Sequence, residues 1–381
     1  MSEVKTYKLG DVTVNFDARR VPVPARDRAP GPYPYYGASG IVDYVDDFLF
    51  DGEYLLIAED GENLRTRKTP IAFVAEGKFW VNNHAHVVQG NHLANTRYLC
   101  YALARTNIAG FLTGSTQPKL TQTALNAIPI ALPSREYQDQ VVEILRALDD
   151  KIDSNRRTLR TVLDLAQAHF SLYARNVKIG PLTFGEVSGV FGGGTPNTST
   201  SHYWNGTIAW ATPTDITSLE APYLFTTART ITESGLAQCA SQLYPAGSIF
   251  MTSRATIGAF AVAQVPAAVN QGFIVVVPPR AELTYWLLHE MMSRVDEMRG
   301  LANGSTFLEL SRTNFKKMPV RMPTEPDLAQ FHETVAPLHH HAAALCQENV
   351  LLGRLRDTLL PGLMSGEIRV REAEKVVEEV L

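Results

Sequence analysis

The chain has 381 residues, 45% hydrophobic and 19% charged, the composition of a folded protein of two or three domains rather than a disordered one. Its net charge of −4 argues against a generic nucleic-acid coat but leaves room for DNA binding through local basic patches. Three widely spaced cysteines, no apolar run near the ~18 residues of a membrane span, and an opening (MSEVKTYKLG) unlike a signal segment predict a reduced, cytoplasmic protein that touches no membrane.

In chain order, residues 7–12 (YKLGDV) open a region of short aromatic and β-branched runs cut by Gly, Pro, Asn and Asp. The runs 33–41 (YPYYGASGI), 52–59 (GEYLLIAE) and 81–84 (VNNH) read as strands and turns. Gly114-Ser115-Thr116 follows, and the break at Ala131-Leu132-Pro133-Ser134 marks the start of a helix. From there Leu145, Leu148, Ile152, Asn155, Leu159, Val162, Ala166 and His169 recur at alternating spacings of three and four, a heptad seam. The seam predicts a helix over 136–176, about 60 Å long at ~1.5 Å per residue, in which Asn155 trades packing for register.

The chain then repeats itself. Residues 114–145 align without a gap onto 304–335, an offset of 190. Nine of the 32 positions are identical: Gly114/Gly304, Ser115/Ser305, Thr116/Thr306, Leu120/Leu310, Thr123/Thr313, Pro129/Pro319, Pro133/Pro323, Gln140/Gln330 and Glu143/Glu333. Chance would give roughly two. More loosely, 208–216 (IAWATPTDI) matches 33–41, 247–254 (GSIFMTSR) matches 52–59, and 269–272 (VNQG) matches 81–84. After Pro323 and Pro326 a second seam of Val335, Leu338, Ala342, Leu345, Asn349 and Leu352 predicts a helix over 326–361, ended by Pro361-Gly362. A period this long excludes solenoids and propellers. The prediction is an α+β fold with a pseudo-two-fold internal repeat: a first domain (1–135), a long helix (136–176), a second domain (177–325), a second long helix (326–361) and a tail (362–381) packing back toward the first domain. Chain order allows the helices to lie antiparallel; independent hairpins or dimerisation helices are the alternative.

Catalytic signals are weak. Asp46, Asp47, Asp51, Glu53, Glu59, Asp60 and Lys68 imitate a metal-dependent nuclease cluster but suit surface loops better. His84 with His86, and His339-His340-His341, have ligand-type side chains without a convincing complement, so no metal is expected. Gly192-Gly193-Gly194-Thr195 lacks the Lys of a phosphate loop, and neither a Walker motif nor an Asn-Pro-Pro-aromatic methyltransferase motif is present.

Taken together, the GST repeat, SRATIG (253–258), NQGF (270–273) and above all LRDTLLPGLMSGEIRV (355–370) resemble the specificity subunits of type I restriction-modification systems, along the whole chain. The resemblance implies a non-catalytic protein with two target recognition domains, each reading one half of a split sequence in double-stranded DNA. It implies long helices that set the gap and dock two methyltransferase subunits, which methylate adenine N6 with S-adenosylmethionine. Two restriction subunits using ATP and Mg would complete the complex; this chain needs no cofactor of its own. Gly362 departs from the family, where a Lys often stands. On this reading the DNA-contact candidates are Tyr35, Ser39, Arg65, Arg67, Lys68, Gln117 and Lys119 in the first domain, and Asn197, Thr198, Trp210, Thr212, Thr214, Asp215, Ser253 and Arg254 in the second, residue types that pair with base edges or phosphates. The docking and spacer candidates are Leu148, Ile152, Asn155, Leu159, Leu338, Leu345, Asn349 and Leu352. The competing reading is a coiled-coil adaptor whose duplicated domains bind protein or another ligand.

Overall fold

The computed structural model describes residues 4–303 and 308–381; Gly304, Ser305 and Thr306, the second copy of the repeated tripeptide, lie outside the described residues. The chain divides into two compact units, one of residues up to Lys151 with Leu352–Leu381, the other Ile152–Leu351. Both mix strands with helices, and the two long helices run Arg135–Ala174 and Glu325–Ser365.

In the first unit, strand Lys5–Lys8 pairs antiparallel with Pro129–Leu132, the strand that leads into the first long helix. A four-stranded sheet is built around Tyr54–Ala58, whose five residues are all buried, as expected of a central strand covered on both faces. A second four-stranded sheet sets Pro30–Gly37 between Gly40–Val45 (antiparallel) and Lys78–Val81 (parallel). Phe50, Tyr54 and Phe79 pack edge-on and stacked in the core of this unit. Its share of the long helices is antiparallel: the Tyr137 hydroxyl donates to the Leu363 carbonyl at 2.9 Å, and Asp149 meets Arg356 at 2.8 Å. The tail belongs to this unit and forms a further helix, Val370–Glu378, that buries Ala373 and Val377.

The second unit repeats the plan. Strand Ile179–Thr183 pairs with Pro319–Arg321. The buried strand Ile249–Thr252 sits centrally in a five-stranded sheet, and Trp204–Ala211 lies between Arg229–Ile231 (antiparallel) and Ala267–Val269 (parallel). Trp286, Phe170 and Phe331 centre the core, where helix Glu282–Met292 meets both long helices. The heptad asparagines pair with each other: Asn155 Nδ2 donates to Asn349 Oδ1 at 3.0 Å and to Glu348 at 2.9 Å.

Two sequence expectations shift. The second helix continues past Pro361-Gly362 for another turn, because Leu363 is fully buried and the left-handed stop falls at Gly366 (φ 77). The match of 52–59 to 247–254 slips by one residue: Glu59 N bonds His84 O while Ser253 N bonds Gly272 O, so Glu59 corresponds to Ser253 and Asp60 to Arg254. The match of 33–41 to 208–216 holds, since Tyr35 and Trp210 occupy the same place between their antiparallel and parallel neighbours.

Candidate nucleic-acid interface

In the first domain the GST segment is the tip of a hairpin closed by mutual backbone bonds between Thr113 and Lys119 (2.8 Å each). Arg65 braces it from the side, donating to Gly114 O (2.7 Å) and Ser115 O (3.1 Å). Arg67, in the left-handed region (φ 47), turns away and caps the helix Thr96–Arg105 through Thr106 O and Leu103 O. Gln117 and Lys68 are exposed, and Lys119 reaches Glu59 at 3.2 Å. Beneath the hairpin lies a buried charge network. Both His86 ring nitrogens face acceptors, Asp17 Oδ2 at 2.6 Å and Leu120 O at 2.7 Å, so both donate, and the imidazolium ties the hairpin base to the sheet. Burial alone would raise the Asp17 carboxyl, but the His86 hydrogen bond, the Val87 N–H and the charges of His86 and Arg20 hold it below its usual range. Glu59 is lowered likewise: burial opposes, and Arg20, His86 and Lys119 outweigh it.

The second domain gathers its candidates around two tryptophans. Trp210 (3% exposed) donates its indole N–H to Gly194 O at 3.0 Å, and Trp204 (7% exposed) donates to Asn197 O at 3.2 Å. Thr212 and Asp215 form a capping box on the helix Pro213–Thr217, and the other Asp215 oxygen accepts from Ala228 N. Thr198 and Thr214 are exposed. A cavity of about 300 Å³ lined by Gly193, Ser253, Arg254, Gln271, Glu309 and Arg312 lies beside the mutual backbone bonds of Asn303 and Glu309, where Arg254 meets Glu309 at 2.9 Å.

Several sequence candidates are corrected by burial. Tyr35 (1% exposed) spends its hydroxyl on Val23, Trp210 is a platform rather than a contact, and Ser253 is enclosed; none of these side chains faces solvent. Leu148, Ile152, Asn155, Leu159, Leu345 and Leu352 are buried along the helices, while Leu338 and Asn349 are half-buried, so these seam side chains are taken up inside the chain and a docking partner would meet other faces. Ser39 is exposed at a turn. The histidine pairs also have internal roles. His84 pairs with Asp60, and His339 joins a buried relay: Tyr223 O–H to His339 Nδ1 (2.8 Å), His339 Nε2–H to His289 Nε2 (2.9 Å), His289 Nδ1–H to Gln167 Oε1 (2.8 Å). Both imidazoles are neutral in this pattern, and burial lowers His289 to about 4 and, with the neighbouring histidines, His339 to about 3. Arg229 escaped the sequence reading. It stands directly across the strand pair from Trp210, a relation that only the register reveals.

Among the described residues no helix is long and apolar enough to cross a membrane. The family model for the type I restriction modification DNA specificity domain matches twice, over residues 1–164 and 176–330, and the chain belongs to this family. It is 42% identical over 147 residues to the specificity subunit S.HindORF215P of Haemophilus influenzae, covering 39% of this chain. It is 33% identical over 141 residues, 36% of this chain, to the type I restriction enzyme MjaIX specificity subunit of Methanocaldococcus jannaschii. These matches span 38% and 33% of the two relatives, so the chain spans about a third of the length of the curated relatives it matches. The fold is similar to the crystal structure of a type I restriction-modification system S subunit from M. genitalium, with a TM-score of 0.66 at 14% identity over 95% of this chain and 96% of that one.

Proposed function

We propose that this chain is the sequence-specific DNA-recognition subunit of a type I restriction-modification complex. Each domain reads one half of a bipartite duplex target, and the length of the long helices sets the gap. The chain is non-catalytic. Two methyltransferase subunits docked on its helices supply adenine-N6 methylation with S-adenosylmethionine, and two restriction subunits supply ATP- and Mg-dependent cleavage.

One observation supports this reading above the others: the two domains keep one backbone frame and invert the charges mounted on it. Lys119, bridged to Thr113, corresponds to Glu309, bridged to Asn303, and Asp60 corresponds to Arg254. Two copies of one surface would suit two copies of one ligand, whereas a shared frame with different side chains suits two different base sequences, since base-edge contacts specify and phosphate contacts position.

The test is to co-express the chain with its methyltransferase partner in a host lacking DNA methylation and to map N6-methyladenine across the genome. A single split motif methylated once on each strand is expected. A stable complex that leaves the genome unmethylated and binds duplex DNA without a salt-dependent sequence preference would overturn the reading.

A further inference from the structure

Resting on that reading, we infer that Arg229 is a specificity residue of the second domain and that it reads a guanine edge in the major groove. Its guanidinium carbon lies 3.5 Å from the ring centroid of Trp204 and 5.7 Å from that of Trp210. The two indoles are set edge to face at 5.1 Å, both are buried, and both N–H groups are tied to backbone carbonyls, so the platform under the arginine is rigid. Stacking restrains the plane of a guanidinium and leaves its in-plane N–H donors pointing outward. Arg229 is exposed, and among the described residues no carboxylate or carbonyl takes those donors.

The first domain shows what a committed arginine looks like on the same frame. Arg28 lies over Tyr35 at 4.3 Å, but its donors go to Asp43 (3.0 Å) and Val23 O (3.0 Å). Asp43 occupies the cross-strand position that Arg229 holds in the second domain. One arginine is quenched by a neighbour and the other is left with its hydrogen bonds unspent.

A planar fork with fixed orientation matches two coplanar acceptors, and guanine N7 and O6 present such a pair in the major groove. A phosphate is the weaker match. Beside Arg229, the Thr227 hydroxyl donates to Arg229 O and the Asp215 carboxylate accepts from Ala228 N, so the negative charge bonded to the adjacent residue disfavours a phosphate.

The experiment maps N6-methyladenine for the parent chain, R229A and R229K, each co-expressed in full length with the methyltransferase partner. The expected result is that both variants relax one guanine position in one half-site and lower methylation at parent sites on the order of tenfold to a hundredfold, with the other half-site unchanged. A lost phosphate contact weakens binding about uniformly across sequences, so an R229A chain that lowers methylation without relaxing any base position overturns the guanine assignment. An unchanged motif in R229A overturns it too, while leaving DNA recognition standing. A parent complex that methylates nothing and binds no DNA removes the underlying reading, and this assignment with it.

Discussion

The first and second domains share a central set of strands in matching register and then part company at single side chains. Across from Tyr35 stands Asp43; across from the equivalent Trp210 stands Arg229. At the hairpin base Lys119 faces Glu59, whereas Glu309 faces Arg254. The buried anchors differ as well. The first domain holds His86 between Asp17 and Leu120, and the position equivalent to His86 in the second is Ile274, part of an apolar core. The second domain keeps its buried polar groups elsewhere, in the His289–His339 relay and in Glu290, which is fully buried between Arg294 and Arg321. Backbone pairing tolerates these exchanges because ladder hydrogen bonds do not depend on the side chain, while each surface depends on little else.

The comparison can be broken first at the anchors. Asp17→Ala leaves the His86 imidazolium without its carboxylate, and removing one partner of a buried pair costs about 3–5 kcal/mol; urea unfolding should show that loss. Adding His86→Ile, the residue found at the equivalent position of the second domain, should recover part of it. A double variant no more stable than the single one would mean that the imidazolium is not the source of the penalty.

Acid should separate the two domains. The second contains histidines held neutral, with folded values of about 4 and about 3 against an ordinary 6.5. Below pH 6.5 the unfolded chain binds protons that the folded one refuses, so stability falls with pH by roughly 1.4 kcal/mol per histidine per unit until the folded values are reached. Asp17 and Glu59 in the first domain are depressed acids; their contribution is complete above the ordinary carboxylate range and is lost only as pH falls through their lowered values. Unfolding followed from pH 7 to 3 should therefore weaken the second domain first. Replacing His289 and His339 with leucine should flatten its slope between pH 6.5 and 4.

A smaller effect is expected in the helix seam. Asn155→Ala removes two hydrogen bonds, to Asn349 and Glu348, and should cost about 1–3 kcal/mol; replacing both asparagines with leucine should raise the melting temperature and weaken the register. The smallest change in stability belongs to the exposed pair Arg254–Glu309, where exchanging the charges (R254E with E309R) should move stability by less than about 1 kcal/mol. The same exchange should alter methylation at one half-site only, which makes it the sharpest separation of frame from surface.

Much of this was legible beforehand because periodic and repeated features survive in one dimension. The offset of 190 placed Lys119 opposite Glu309 correctly, since no residue is gained or lost between the hairpin and the helix in either copy. The heptads located both long helices to within a few residues, missing only the last turn, where burial of Leu363 outweighs the stop signals of Pro361 and Gly362. The site was harder. Tyr35, Trp210 and Ser253 looked like polar or aromatic contacts, yet residue type does not say which face of a strand is covered. Nothing in the sequence singles out Arg229 or Arg28, and what distinguishes them is whether neighbours such as Asp43 and Val23 take the guanidinium donors. The one-residue slip near Glu59 has the same origin: a matched glycine turn does not guarantee a matched register beyond it.

The strands at the neck of each domain carry a last implication. Lys5–Lys8 lies beside Pro129–Leu132, and Ile179–Thr183 beside Pro319–Arg321, so the first and last strands of each domain are joined in one hydrogen-bonded pair just before the long helix that follows it. A segment tethered in this manner behaves like a cassette with its two ends clipped together. Chimaeras cut at the necks should fold, because the junction asks only for two short strands to zip up. On the proposed function, each neck marks a place where one domain could be exchanged without rebuilding the other.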